Sequence, residues 1–120
     1  MSTQTQAIFD KMVTRMLKQG KRSETNEGSC RYRCGDLCCA AGALIDDKHY
    51  SEAFEGKNVS DHRVVIAIAL SLGVANLEYH QLKVIELCQK AHDQWDPSRW
   101  AERFEQIAKD YNLKMPEVVA

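Results

Sequence analysis

Apolar residues recur at helical spacing near the start of the chain: Ile8, Met12, Val13, Met16 and Leu17 share one face, and Lys11, Arg15 and Lys18 lie away from it. This pattern predicts an amphipathic helix of about four turns that ends at Gly20, where a left-handed backbone closes helices readily. Thr3 and Gln6 stand at the spacing of an N-terminal capping box. The period then breaks. Residues 21–36, KRSETNEGSCRYRCGD, are polar, contain Gly28 and Gly35, and alternate briefly through Cys30, Tyr32 and Cys34, which predicts a loop with a short hairpin. The next stretch, LCCAAGALIDD, is small and apolar and predicts a short buried helix, with Gly42 and the alanines allowing a neighbouring helix to come close. The segment KHYSEAFEGKNV, ending at Val59, has no sustained period and predicts an irregular surface connection.

Regular spacing returns at Ser60 and Asp61, which supply an N-terminal cap for HRVVIAIALSLG. Its β-branched residues suit a strand, but its length, Ala67, Ala69 and Leu70 favour a helix, apolar on nearly every face and therefore expected in the middle of the core. From Asn76 to about Trp95, Leu77, Leu82, Val84, Ile85, Leu87, Cys88 and Ala91 continue a helical pattern against Glu78, Lys83, Glu86 and Lys90. A last helix is capped by Asp96, starts at Pro97, and carries Trp100, Phe104, Ile107, Ala108 and Tyr111 in one stripe before Asn112 and Pro116 close it. The expectation is a mainly α fold: a single compact domain spanning 1–120, of about five helices, with an irregular Cys-rich loop or short hairpin after the first.

Composition narrows the setting. A length of 120 residues suits one core, and 44% hydrophobic with 28% charged residues is ordinary globular composition. No stretch approaches the roughly 20 apolar residues that span a bilayer, and MSTQTQAIFDKM lacks the apolar run of a signal peptide, so a cytoplasmic, non-membrane protein is expected. Five cysteines, an odd number, four of them between Cys30 and Cys39, argue for reduced thiols or a metal site over a disulfide framework. The net charge of −1 conceals an uneven distribution, because residues 1–35 hold seven Lys or Arg against three acids. A basic end attracts phosphates, yet an overall pI of about 6.4 is unlike a whole-domain nucleic-acid binder.

The cysteines are the most conspicuous chemistry. Zinc takes four tetrahedral ligands, and Cys30, Cys34, Cys38 and Cys39 form a candidate set, with His49, His62, His80 and His92 as substitutes. Their spacing departs from paired Cys-x-x-Cys, and packing of Cys38 and Cys39 in the core with the others as surface thiols is the simpler reading. A cysteine nucleophile would need a neighbouring base, and although Arg31 and Arg33 lie near Cys34 as thiolate stabilisers, no histidine is singled out as that base. His92 and Asp93, with His62 upstream and Asp110 downstream, follow the ligand order of helical metal-dependent phosphohydrolases, which are much larger; a structural role near a helix C-terminus fits better. Phosphate loops, serine elbows and His-Glu-x-x-His are missing from the sequence, so no catalytic residue is assigned. Tyr32, Arg33, Tyr50, Phe54, Trp95 and Trp100 are of the types that anchor interfaces or fill cores.

The run CRYRCGDLCCAAGALIDDKHY, together with the preceding KQGKRS and the later AHD, Trp100, Phe104 and IAKDYNL, resembles a family of small uncharacterised proteins encoded by tailed phages and prophages. Cys30, Tyr32, Arg33, Cys39, Ala40, Gly42, Leu44, Ile45, Asp47, Tyr50, His92, Asp93, Trp100, Phe104 and Leu113 fall on that pattern's recurrent positions. Ala43 stands where such proteins often carry another cysteine, and Cys34 and Cys38 are additions. The resemblance implies expression in a bacterial host cytoplasm and a non-enzymatic accessory role, binding and modulating a host or defence protein. Loops carry recognition on rigid supports, so Arg22, Arg31, Tyr32, Arg33 and Asp36 are the expected partner contacts. The alternatives are a zinc module on Cys30, Cys34, Cys38 and Cys39, and a nucleic-acid binder using the basic N-terminal end; a two-fold homodimer is compatible with each.

Overall fold

The computed structural model describes residues 3–117 and is mainly helical. Helix α1 (Thr3–Gln19) is the spine: Ile8, Phe9, Met12, Val13 and Met16 are all fully buried, because their 3–4 residue spacing keeps them on one face. Leu17 packs at the edge, and Gly20, at φ +65°, closes the helix with its N–H on the Met16 carbonyl. The expected cap at Thr3 lies outside the described side chains. Gln6 makes a different contact: its amide donates to the Lys114 carbonyl and accepts from the Lys114 N–H, fastening the C-terminal segment across the start of α1.

After α1 the chain forms two tight reversals. Glu24 and Cys30 make an isolated antiparallel bridge around a turn in which the Thr25 hydroxyl accepts from the N–H groups of Glu27 and Ser29. The hairpin follows, with β1 (Arg33–Cys34) paired to β2 (Leu37–Cys38) in the register Arg33 with Cys38 and Cys34 with Leu37. Its two-residue loop places glycine first, with Gly35 at φ +62°. The hairpin therefore sits a few residues later than the Cys30–Cys34 alternation suggested, because Gly35 is the residue that can make the turn.

The expected short helix over LCCAAGALIDD is reduced to β2 followed by one 3₁₀ turn, Gly42–Leu44. Burial of Cys39, Ala40, Ala41, Gly42 and Leu44 is as anticipated, but Gly42 admits the backbone of Tyr32, just before β1, and not a helix. A Cβ at this position would lie 2.3 Å from the Tyr32 carbonyl oxygen. Two further 3₁₀ turns, Asp47–His49 and Glu52–Phe54, make the irregular connection, with Phe54 as its buried anchor.

Helix α2 (His62–Leu72) is capped by the Asp61 carboxylate, which accepts from the Arg63 N–H, and is closed by Gly73 at φ +72°. It is not the central helix expected from its composition. It packs chiefly on the 42–44 and 47–49 turns, burying Val64, Ala67, Ile68 and Ala69 while Ile66 and Leu70 remain outside. Helix α3 (Tyr79–Gln94) lies against α1 and α4 and buries Val84, Ile85, Cys88, Ala91 and His92. Gln81 accepts from the Glu78 N–H at its start. Asp96 accepts from the Ser98 N–H, and Pro97–Arg99 form a 3₁₀ entry to α4 (Trp100–Asp110), whose Trp100, Phe104, Ile107 and Ala108 face the core. Asn112 at φ +56° ends this last helix, as its place after the stripe suggested.

The fold thus follows the expected mainly α architecture, with four α-helices, several single 3₁₀ turns and one core cluster among the described residues. Gly42→Ala drives a methyl group into a backbone carbonyl that cannot rotate away, so it should lower stability by about 1–3 kcal/mol. Urea unfolding followed by tryptophan fluorescence measures this directly.

Candidate functional site

Of the metal-ligating side chains raised by the sequence, Cys30, His92 and Asp93 come together among the described residues. His92 arises in the last turn of α3, fully buried, with its ring stacked on Trp100 at 5.4 Å between centroids. The Ser23 N–H donates to His92 Nε2 at 3.0 Å. A backbone N–H can only donate, so Nε2 holds the lone pair and the ring proton sits on Nδ1, which donates to Asp93 Oδ1 at 2.8 Å. The same carboxylate oxygen accepts from Gln89 Nε2 at 2.9 Å. Cys30, across the bridge from Glu24, presents its thiol to Asp93; burial first, then the Asp93 charge, push its pKa from an ordinary 9.0 up to about 11. Donor atoms of Cys30, His92 and Asp93 all lie within 4.8 Å of one another. Cys30 and Asp93 border a cavity of about 220 Å³ whose walls also include Tyr32, Cys39 and Gln89.

This arrangement does not activate the thiol. A nucleophilic cysteine needs a base with a free lone pair, whereas His92 spends one nitrogen on Ser23 and the other on Asp93. The cluster instead holds the loop onto α3. Arg22, next to Ser23, donates from Nε to the His92 carbonyl and from Nη2 to the Trp95 carbonyl, and Trp100 Nε1 donates to Trp95 as well. These carbonyls belong to the end of α3, where helical partners run out and positive charge is favoured. The structural role expected for His92 is therefore present, with Arg22 supplying the cation at the helix end. His62 and Asp110 are exposed and join no cluster of metal-ligand type among the described residues.

The four-cysteine zinc set is not gathered. Cys34 donates to the Glu24 carbonyl, and Cys39, fully enclosed, accepts the Gly42 N–H. Cys38 is buried in β2, and burial raises the pKa of both Cys38 and Cys39. The hairpin separates these side chains onto different backbone partners, and among the described residues none of the three joins a metal-type group. Cys88, which the pattern placed on the α3 stripe, is a core residue.

The predicted partner contacts are also drawn inward. Arg31 pairs with Glu52 at 2.9 Å and donates to the Arg33 carbonyl. Arg33 pairs with Asp47, donates to the Ile45 carbonyl and covers the Tyr50 ring at 4.8 Å. Tyr32 is buried, and its hydroxyl donates to the Lys57 carbonyl. Asp36 alone of the five is exposed, at the hairpin tip. Glu55, which the sequence did not single out, accepts from the N–H groups of Tyr32 and Arg33 and from the Tyr50 hydroxyl, pushing the Tyr50 pKa, already raised by burial, up to about 12. On α1, Lys11, Arg15 and Lys18 form an exposed basic stripe, but it borders Asp36, Asp46 and Asp47 around a cavity of about 410 Å³, which offsets the positive potential there.

No family profile matches the chain, and neither curated proteins nor solved structures give a significant match. No described helix is long and apolar enough to cross a membrane.

Two consequences are measurable. His92→Ala strips the Ser23 N–H of its acceptor and removes the ring under Trp100, so it should cost about 3–5 kcal/mol, read from denaturant midpoints. Stability should also fall in alkali. The folded chain keeps the Cys30 proton to about pH 11, and burial holds those of Cys39 and Cys88 in the same direction, while an unfolded thiol releases its proton near its ordinary value. The folded state then binds more protons, so this stability is complete below about pH 9 and declines as pH rises through the folded values. A thermal-melt series in reducing buffer should show the decline, and Cys30→Ser should retain it, since two fully buried thiols remain.

Proposed function

We propose that the chain is a non-enzymatic accessory protein, of the phage or prophage kind that its sequence resembles, which binds and modulates a bacterial host or defence protein in the cytoplasm. The observation carrying this reading is the outer face of α2. Ile66 and Leu70, one turn apart on the helix, are 44% and 56% exposed, and Tyr79 at the start of α3 is 77% exposed. These are the large apolar side chains left open among the described residues, while the rest of the apolar set fills one core. A helix that presents aliphatic side chains at i and i+4 fits an apolar groove on a protein partner. It does not fit a phosphate backbone, which favours the protein-binding reading over the nucleic-acid one.

The contact surface in this proposal moves from the loop to α2. Arg22, Arg31 and Arg33 spend their guanidinium groups on internal carbonyls and carboxylates, and releasing them for a partner would leave those acceptors unpaired. The non-enzymatic part rests on the state of the most reactive-looking cluster, where Cys30 is kept protonated and both His92 nitrogens are hydrogen-bonded to groups other than the thiol.

The test is capture from bacterial lysate by the full chain, with an Ile66→Glu/Leu70→Glu variant in parallel. Both positions face solvent, so the variant should keep its helical circular dichroism and melting temperature. Loss of a specifically captured, cross-linkable protein in the variant supports the reading. Identical capture by both chains, or a purely salt-dependent nucleic-acid shift, overturns it.

A further inference from the structure

We infer that Cys30, His92 and Asp93 form a site for one zinc-type divalent cation, bridging the loop to the end of α3 and open to water through the adjoining cavity. The inference is independent of the α2 surface. Thiolate sulfur, imidazole nitrogen and carboxylate oxygen are the three ligand types zinc accepts, and these donors already lie within 4.8 Å of one another. Three protein ligands with a fourth position for water is a recurrent zinc arrangement, and the 220 Å³ cavity beside Cys30 and Asp93 provides that position. The mixture of a soft and a nitrogen ligand selects zinc or cobalt over magnesium or calcium.

A second observation concerns Ser23. Its N–H now occupies His92 Nε2, and its hydroxyl oxygen, fully buried, has no hydrogen-bond partner among the described residues. Coordination through Nδ1 requires the ring proton to move to Nε2, where an acceptor is then needed in place of a donor. Cation binding therefore requires Ser23 to turn its N–H away from Nε2 and to offer its unpartnered hydroxyl oxygen there instead. The proton balance is simple. Asp93 binds as the carboxylate, the imidazole stays neutral with its proton transferred from Nδ1 to Nε2, and Cys30 releases its thiol proton to solvent. One proton leaves for each cation bound. The cation reverses the local preference of the thiol, which Asp93 and burial otherwise keep protonated.

The test titrates reduced, chelator-treated full-length protein with cobalt(II) and then zinc. The expected result is one cobalt per chain, a near-ultraviolet thiolate-to-cobalt band that zinc abolishes, and release of about one proton, obtained from titrations in two buffers of different ionisation heat. Affinity should rise about tenfold per pH unit below the thiol pKa. Cys30→Ser, which preserves a small hydrogen-bonding side chain, should lose the band and weaken binding by more than about tenfold, while Cys34→Ser should behave as wild type. Nitrogen-15 NMR of the histidines should show the His92 proton moving from Nδ1 to Nε2 on zinc addition. Absence of stoichiometric uptake, binding unchanged in Cys30→Ser, or loss of binding in Cys34→Ser would each overturn the site.

Discussion

The structure depends on one constraint: residues 20–61 contain little regular secondary structure, yet their buried backbone groups must still be hydrogen-bonded. Side chains projected from the helices and from within the segment do this. Gln19 at the end of α1 accepts from the Cys38 N–H and donates to the Cys38 carbonyl, serving as a partner along β2. Gln89 on α3 accepts from the Ala41 N–H, His92 from the Ser23 N–H, and Ser71 on α2 from the Asp46 N–H. Within the segment, Glu55 receives the N–H groups of Tyr32 and Arg33, and Arg33 covers the Ile45 carbonyl. Loss of any one of these hydrogen bonds would by itself cost about 1–3 kcal/mol, because the group left behind is shielded from water.

That constraint also binds the arginines of the polar loop to groups within the fold. Arginines in a stretch such as KRSETNEGSCRYRCGD look available, but guanidinium groups are well suited to bridging several carbonyls where a chain has no ladder to close upon. Arg22 joins the loop to two carbonyls at the end of α3, and Arg15 on α1 reaches the Asp36 carbonyl at the hairpin tip. With the loop committed inward, the unmatched surface is elsewhere: on α2, and at the cavity where Cys30 faces Asp93. The first presents aliphatic side chains. The second is small and rich in donor atoms, suited to an ion.

The helical pattern carried much of the fold. α1, α3 and α4 each have an apolar stripe at 3–4 residue spacing, and the stops at Gly20, Gly73 and Asn112 fall where a left-handed residue can end a helix. The pattern misjudged α2 because composition does not report neighbours: a helix apolar all round is buried only if other elements surround it, and this one has turns on one side alone. It misjudged LCCAAGALIDD because small residues permit close approach without saying what approaches. In the structure that is the Tyr32 carbonyl, against Gly42.

For the candidate site the division is similar. Cys30, His92 and Asp93 all stood out in the sequence by residue type, and helical spacing placed His92 near the end of an amphipathic helix. Spacing also drew Cys30 toward Cys34, Cys38 and Cys39, its neighbours along the chain. The hairpin disperses those thiols, while the Ser23 contact brings Cys30 to residues far away in sequence. The sequence by itself determined the four α-helical segments, the stops at Gly20, Gly73 and Asn112, and the apolar stripes that make much of the core, because these follow from local periodicity and backbone preference. Only the tertiary structure decided which thiol meets His92 and Asp93, which arginines turn inward and which face of α2 stays open, because each depends on hydrogen bonds and packing between segments far apart in the chain.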